Sequence, residues 1–222
     1  MGFGICVLAV VLTAYTPHVA RAPAAPERVP VLLVPGWFDT DRSLAALRIR
    51  LVASGWSERE VLALRFRHPT GSNHEHAAEI AIAVDSLLRA SGAPRIDVVA
   101  HSMGGLATRL YLRERGGAHV RRVVFIATPH RGTYSSYLAW GGSAKEMRPG
   151  SAFLDSLNAG PPLPEGVRGI TLRTVMDAHI IPGESATLPP LPDYRVCCPT
   201  HEGLLRDAEA FRIIIRFLEE PG

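Results

Sequence analysis

IDVVAHSMGG, residues 96–105, places a predicted strand, a tight turn and a predicted helix in direct succession. The apolar run at its start is typical of a strand buried on both faces, and a helical pattern begins at Met103. Ser102 therefore lies on the turn at the carboxyl end of the strand. A serine on so sharp a turn needs small residues two positions before and after it, and Ala100 and Gly104 meet this requirement. We expect the Ser102 hydroxyl to project into a crevice, with the Met103 amide beside it at a helix N-terminus.

Strands and helices alternate along the rest of the chain. The predicted strands cover residues 29–34, 61–66, 96–100, 120–127 and 170–176, with a further short apolar run at 194–198. The predicted helices begin after Asp39 or Asp41, which can cap the first of them, then near Ser72 or Asn73, at Met103 and at Arg206. This alternation predicts an α/β protein with a mostly parallel central sheet and helices on both faces. In such folds the ligand crevice lies at the carboxyl ends of the strands.

The size and charge of the chain limit its function class. Its 222 residues, 47% hydrophobic and 20% charged, suffice for one substantial domain, which we place at residues 28–222. The 24 basic and 21 acidic residues give a net charge of +3 and are interleaved, so nucleic acid is not an expected partner. No pattern in the sequence indicates an oligomeric state.

The N-terminal 27 residues differ in composition from the rest of the chain. Residues 3–15 are almost wholly apolar but too short to span a bilayer comfortably, and they lead into a Pro- and Ala-rich stretch at 17–26. This pattern resembles a signal peptide followed by a linker and predicts a secreted or periplasmic protein. Residues 1–4 contain no Lys or Arg, which leaves a misassigned start codon or an uncleaved anchor as alternatives.

The cysteines and histidines do not form the pattern of a disulfide framework or a metal centre. Cys6 lies in the leader, and we expect Cys197 and Cys198 to be reduced and buried, although these neighbours can close a vicinal disulfide after export. Residues 74–76 read HEH without a third distant ligand, so we predict no metal site. The sequence has no glycine-rich phosphate loop and no dinucleotide fingerprint, so we predict no cofactor.

AHSMGG, residues 100–105, resembles the α/β-hydrolase superfamily and, within it, the small bacterial lipases and esterases that carry this segment in place of the commoner G-x-S-x-G. Two further segments resemble the same lipases, namely TPHRGT at 128–133 and HEGLL at 201–205. The resemblance extends over about residues 29–218. It implies an α/β-hydrolase fold with a minimal lid and a catalytic triad in the chain order Ser, acid, His.

The resemblance implies Ser102 as nucleophile, Asp177 as the acid and His201 as the base. Asp177 comes directly after the predicted strand at 170–176, and His201 stands just before the closing helix. Weaker candidates for the acid lie in the same region: Asp155, Glu184 and Asp193.

Two other histidines compete with His201 for the role of base. His179 is only two residues from Asp177 on one loop, and this short separation makes it hard to place its ring between that carboxylate and Ser102. His101 is adjacent to the nucleophile, but its backbone belongs to the turn that carries Ser102, which we call the elbow. We therefore expect the His101 side chain to pack beside the elbow.

The remaining site predictions concern the oxyanion and the substrate. The Met103 amide and the amide of Trp37, in the loop after the first strand, are the expected oxyanion donors. An apolar substrate pocket is expected to be lined by Phe38, Tyr134, Tyr137 and Leu138.

These residues predict a serine carboxylic ester hydrolase of lipase or esterase type that acts through an acyl-enzyme. The expected substrate is a small-molecule or lipid ester, with contact at a lipid interface. An acyltransferase that uses the same triad and a non-catalytic binding protein on a hydrolase fold remain as alternatives.

Overall fold

The computed structural model describes residues 1–2 and 28–221, so nearly all of the predicted leader lies outside the described residues. Six strands form one parallel sheet in the order β2-β1-β3-β4-β5-β6: β1 (Val31–Val34), β2 (Val61–Ala63), β3 (Ile96–His101), β4 (Val120–Ile126), β5 (Arg168–Thr174) and β6 (Asp193–Val196). Six helices accompany them: α1 (Ala45–Ala53), α2 (Asn73–Ser91), α3 (Met103–Arg115), α4 (Gly142–Glu146), α5 (Ala152–Asn158) and α6 (Ala208–Glu219). The predicted parallel α/β architecture is confirmed.

Two hydrophobic layers cover the sheet, one on each face. The alternation along β1 shows the division, because Leu32 and Val34 belong to the layer of α2, α3 and α5. Val31 and Leu33 face the other layer, to which α1 and α6 contribute. All four side chains are fully buried, as expected for a central strand between two helical layers.

Several element ends differ from the prediction. Helix α1 begins at Ala45 with Leu44 as its N-cap and no side-chain cap, so neither Asp39 nor Asp41 caps it. Helix α2 begins as predicted, because Ser72 and Glu75 form a reciprocal capping box. Strand β2 stops at Ala63 rather than continuing to residue 66.

The two adjacent cysteines do not lie in the core. Strand β6 is at the edge of the sheet, and its last residue, Val196, points into the core. Cys197 and Cys198 follow it on the surface, with their sulfur atoms next to each other. The expectation that they are buried is therefore wrong, because the core-facing register ends with the strand.

No helix within residues 28–221 combines the length and the apolarity that crossing a bilayer requires.

His130 lies fully buried in the segment after β4, and its ring packs edge-on against Phe125. Burial, together with the nearby charges of Arg109 and Arg131, holds the pKa of His130 well below its ordinary value. The folded protein therefore keeps this imidazole neutral at a pH where the unfolded chain takes up a proton. The stability that follows is present above the unfolded pKa of about 6.5 and is lost as the pH falls below it.

We expect His130→Phe to reduce the pH dependence of folding. Between about pH 6.5 and 5.5 the wild-type free energy of unfolding should fall by about 1 kcal/mol through this group, with the slope approaching about 1.4 kcal/mol per pH unit at lower pH, and the variant should lack that contribution. Urea unfolding at several pH values measures both slopes. The matched control is His119→Phe at an exposed position, and an equal change of slope in both variants would contradict the assignment to His130.

Candidate active site

Ser102 lies on a strained turn between β3 and α3. Its backbone has φ 52° and ψ −129°, a conformation that residues other than glycine rarely adopt. The turn is held from both sides, because the Ser102 amide donates to the Ile126 carbonyl at 2.8 Å and the Gly105 amide donates to the Ser102 carbonyl at 3.0 Å. The surrounding sheet thus fixes the backbone of the serine at the carboxyl end of β3.

The glycines after Ser102 let α3 approach the sheet closely. A Cβ atom on Gly104 would lie 2.9 Å from Val34 Cγ1 and closer still to the Pro35 carbonyl oxygen. A Cβ atom on Gly105 would lie 2.6 Å from Thr128 Cγ2. Both contacts are shorter than side chains tolerate, so the start of the helix sits where only glycine fits.

Gly104→Ala should destabilise the protein by about 1–2 kcal/mol. Overpacking of this kind costs about 1–3 kcal/mol, which exceeds the gain of at most about 1 kcal/mol that alanine has over glycine in a helix. Urea unfolding measures the difference. Gly160→Ala is the matched control, since a Cβ there meets nothing within 4 Å, and a similar loss in both variants would refute the steric argument.

Asp177 and His201 form a buried pair. The Nδ1 atom of His201 lies 2.8 Å from Oδ2 of Asp177, and their side chains are only 6% and 3% exposed. Burial disfavours the ionised carboxylate, but the hydrogen bond to His201 and those from the backbone amides of Ile180 and His179 outweigh it, and the pKa of Asp177 lies below its ordinary value. An ionised carboxylate only accepts hydrogen bonds, so Nδ1 carries the proton and Nε2 is left as a base.

The two residues reach this position from neighbouring strand ends. Asp177 follows β5, which ends at Thr174 rather than at residue 176, and His201 follows β6. Thr174, the last residue of β5, also anchors the loop between β6 and His201, because its hydroxyl donates to the Pro199 carbonyl at 2.7 Å.

A second histidine lies beside this pair. The ring of His101 is 4.6 Å from that of His201, and its Nδ1 atom is 3.8 Å from Oδ2 of Asp39. Burial lowers the pKa of His101, so this ring stays neutral and does not oppose a proton on His201. His101 packs beside the elbow as predicted, whereas the proximity of Asp39 was not anticipated.

Ser102 and His201 line one cavity of about 540 Å³ at the carboxyl edge of the sheet. No hydrogen bond joins their side chains within the described part of the chain. Catalytic hydrogen bonds are often long when no substrate is bound and shorten in the complex. The structure therefore brings the three predicted triad residues to one place, with the Asp177–His201 hydrogen bond formed and Ser102 at the same cavity wall.

The predicted oxyanion donors lie next to Ser102. The loop after β1 approaches the elbow so closely that a Cβ on Gly36 would be 3.0 Å from Ser102 Cβ. The backbone amides of Trp37 and Met103 donate no hydrogen bond to any of residues 28–221. Neither amide is therefore committed to another backbone acceptor in this part of the chain.

Aromatic side chains surround the mouth of the cavity. Phe38 and Leu138 line it as predicted, and so do Trp37 and Trp140. The rings of Trp37, Phe38 and Trp140 contact one another at centroid distances of 4.9 to 5.7 Å. The Trp37 indole N–H also donates to the Trp140 carbonyl, which ties the two loops together.

Tyr134 and Tyr137, two of the four residues predicted to line the substrate pocket, are not among the residues that line this cavity. Residues 134–138 form a 3₁₀ helix, in which side chains three apart share a face. The two tyrosine rings stack on each other at 6.5 Å, and the Arg148 guanidinium lies 4.9 Å from Tyr137. Ser135 and Leu138, on another face, line the cavity instead.

The other candidate acids are placed elsewhere. Asp193 pairs with Arg173 at 2.9 Å, Asp155 lies in α5, and Glu184 is exposed in a short 3₁₀ helix. None of the three contacts His201.

Two histidine groups bear on metal binding. At residues 74–76, His76 is buried with Nε2 bonded to the His68 carbonyl, whereas His74 is exposed, so the two do not converge. In contrast, Asp177, His179 and His201 each place a potential ligand atom within 4.8 Å of the other two.

A serine on a strand-to-helix elbow beside a buried Asp–His pair, at the carboxyl edge of a parallel sheet, is the arrangement that defines α/β-hydrolases. The sequence profile of the alpha/beta hydrolase family matches residues 31–213, and the chain belongs to that family.

Solved structures of similar fold include two lipases and a phospholipase. Lipase B from Aspergillus fumigatus has a TM-score of 0.76 at 20% identity, over 88% of this chain and 53% of its own. The mature lipase BlEst2 from Bacillus licheniformis has a TM-score of 0.74 at 15% identity, over 89% of this chain and 94% of its own. Phospholipase PlaB from Legionella pneumophila has a TM-score of 0.74 at 14% identity, over 87% and 60%. The chain thus spans little more than half of the Aspergillus protein, and at these identities the likeness concerns the fold.

Proposed function

We propose that the protein is a serine carboxylic ester hydrolase of lipase or esterase type. The observation that carries this proposal is the buried Asp177–His201 pair, 2.8 Å apart, at the wall of the cavity that also holds Ser102. A hydroxyl, a neutral imidazole and an ionised carboxylate are the three groups that acyl transfer through a serine requires.

In the proposed reaction the Ser102 oxygen attacks the ester carbonyl while His201 Nε2 takes its proton. The amides of Met103 and Trp37 bind the oxyanion that develops. The tetrahedral intermediate collapses when the protonated His201 gives its proton to the leaving alcohol, which leaves an acyl group on Ser102. Water, activated by the same imidazole, then attacks the acyl-enzyme and frees the acid.

The electrostatics of the site support this division of roles. Because the pKa of Asp177 is lowered, this residue stays ionised at neutral pH and stabilises the imidazolium that forms on His201. His101 is kept neutral by burial, so no second positive ring competes at 4.6 Å. The pair is therefore suited to gain and lose one proton in each step.

The rim of the cavity favours a lipid ester over a polar one. Leu138 is 90% exposed, and Phe38 and Trp140 are also mostly exposed at the mouth. Large apolar side chains in such a group are typical of a surface that contacts an apolar ligand or interface. We propose acyl-chain binding along this rim, with contact at a lipid surface.

An ester series tests the proposal. The purified protein should hydrolyse p-nitrophenyl esters of short chains and emulsified triacylglycerol, and a serine-directed phosphonate should abolish both activities with one label per chain, on Ser102. Product analysis with added alcohol separates hydrolysis from acyl transfer. A protein that turns over no ester and takes no label would be the non-catalytic hydrolase-fold protein instead.

A further inference from the structure

A cluster of imidazole and carboxylate groups surrounds the outer side of the Asp177–His201 pair. Asp177, His179 and His201 offer three ligand atoms within 4.8 Å of one another. The ring of His179 lies 4.8 Å from that of His201, edge to face. Its Nδ1 atom is 3.2 Å from Oε1 of Glu202, whose side chain is exposed. The catalytic steps proposed above give His179 and Glu202 no role.

The backbone of His179 is held firmly in this position. Its amide donates to Asp177 Oδ1 at 2.8 Å. Its carbonyl accepts from the Thr133 hydroxyl at 2.7 Å and from the Ser135 hydroxyl at 2.5 Å. The imidazole is thus presented next to the Asp177–His201 pair by a fixed backbone, and its ring is exposed.

The donor set suits a borderline transition metal and not a hard cation. Two imidazoles and one carboxylate match the ligands of Zn²⁺, which binds nitrogen at about 2.0–2.1 Å and carboxylate oxygen at about 2.0–2.2 Å. Ca²⁺ and Mg²⁺ prefer sites built from oxygen. Metal-bound histidines commonly direct their second ring nitrogen to a carboxylate, and Glu202 stands beside His179 Nδ1 in that way.

We propose that Asp177, His179 and His201 form an inhibitory Zn²⁺ site. The ion replaces the proton between His201 Nδ1 and Asp177 Oδ2: the N–H bond breaks, the proton leaves to solvent, and Zn–N and Zn–O bonds form. His179 Nε2 supplies the third ligand and water the fourth. This site is distinct from a catalytic metal, which the proposed reaction does not use.

Zinc in this position stops the acyl-transfer steps. Asp177 no longer stabilises a proton on His201, and the positive ion on Nδ1 makes Nε2 a poor base. The effect on turnover rests on the proposed function, whereas the binding of the metal does not.

Equilibrium dialysis of the full chain against ZnCl₂, with metal analysis, tests the site without turnover. Wild type should bind one Zn²⁺ at this site, and His179→Gln should weaken that affinity at least about tenfold. The matched control His119→Gln changes an exposed histidine elsewhere and should bind as wild type does. His179→Ala serves as a second variant, with circular dichroism to check folding.

Rate measurements complete the test. ZnCl₂ should inhibit p-nitrophenyl ester hydrolysis by wild type and by His119→Gln, each relative to its own zinc-free rate, at concentrations where CaCl₂ and MgCl₂ have no effect. His179→Gln should need at least about tenfold more zinc. Equal zinc affinity in wild type and both His179 variants, or no bound zinc, overturns the proposal. If wild type binds zinc through His179 but hydrolyses no ester, the proposed function fails and the metal site stands.

Discussion

Ser102→Ala is expected to lower kcat for p-nitrophenyl esters by about 10⁴- to 10⁶-fold, with little change in folding. The acyl-enzyme cannot form without the hydroxyl, and the residual rate reflects only binding and the oxyanion donors. The stability should change little, because within residues 28–221 the Ser102 side chain forms no hydrogen bond that alanine would lose. Steady-state kinetics and urea unfolding measure the two effects.

Ser136→Ala is the matched control for this substitution. Ser136 lines the same cavity and is buried, but its hydroxyl donates to the Thr133 carbonyl at 2.6 Å and so has a structural partner. Loss of the Ser136 hydroxyl should lower kcat by less than about tenfold, since this hydroxyl acts only by positioning the cavity wall and does not react with the substrate. If Ser102→Ala kept more than a tenth of the wild-type rate, the hydroxyl of Ser102 would not be the nucleophile.

The elbow could be predicted because its requirements are local. A strand that enters a helix through one residue leaves no room for side chains at the positions two before and two after it. Ala100 and Gly104 meet that constraint within five letters of sequence. The structure adds what the letters do not contain, namely the contacts from Val34 and Thr128 on other elements that make Gly104 and Gly105 necessary.

The residues that line the cavity could be predicted only in part, because loop conformation is set by contacts between residues that are distant in sequence. The apolar letters at 134–140 indicate a loop that buries or presents large side chains, but not which of them face the cavity. The 3₁₀ turn and the contact with Arg148 decide that Tyr137 turns away. Trp140 reaches the mouth through its contacts with Trp37, which lies 103 positions earlier in the chain.

Two neighbours of the site histidines were missed for a related reason. Asp39 and His179 come from loops after β1 and β5, and nothing in their local sequence indicates that Asp39 lies beside His101 or that the His179 ring lies beside that of His201. One signal was present: the carboxyl ends of parallel strands meet at one edge of the sheet, so every titratable residue in those loops is a candidate neighbour. The end of β5 was misplaced because Val175 and Met176 continue the apolar pattern although they are exposed.

Asp177→Asn is expected to lower kcat/KM by about 10⁴-fold, because it reverses the tautomer of His201. In the wild type, Oδ1 of Asp177 accepts from the amides of His179 and Ile180, while Oδ2 faces His201 Nδ1. An asparagine must keep its oxygen toward the two amides, so its NH₂ group faces Nδ1. His201 Nδ1 then accepts a hydrogen bond from this NH₂ group, and the proton of the imidazole moves to Nε2. With a proton already on it, Nε2 no longer takes the proton of Ser102.

Asp193→Asn separates this effect from a general loss of negative charge. Asp193 is the first residue of the edge strand β6 and forms an ion pair with Arg173, and it forms no hydrogen bond with His201 within the described residues. It should lose less than about tenfold in kcat/KM, since its contribution is a partly exposed ion pair. Labelling of Ser102 by a phosphonate reports the same nucleophile without turnover, so its rate should fall in parallel with kcat/KM for Asp177→Asn. Comparable losses in both variants would show that the carboxylate at 177 acts only through structure, and the tautomer argument would then be wrong.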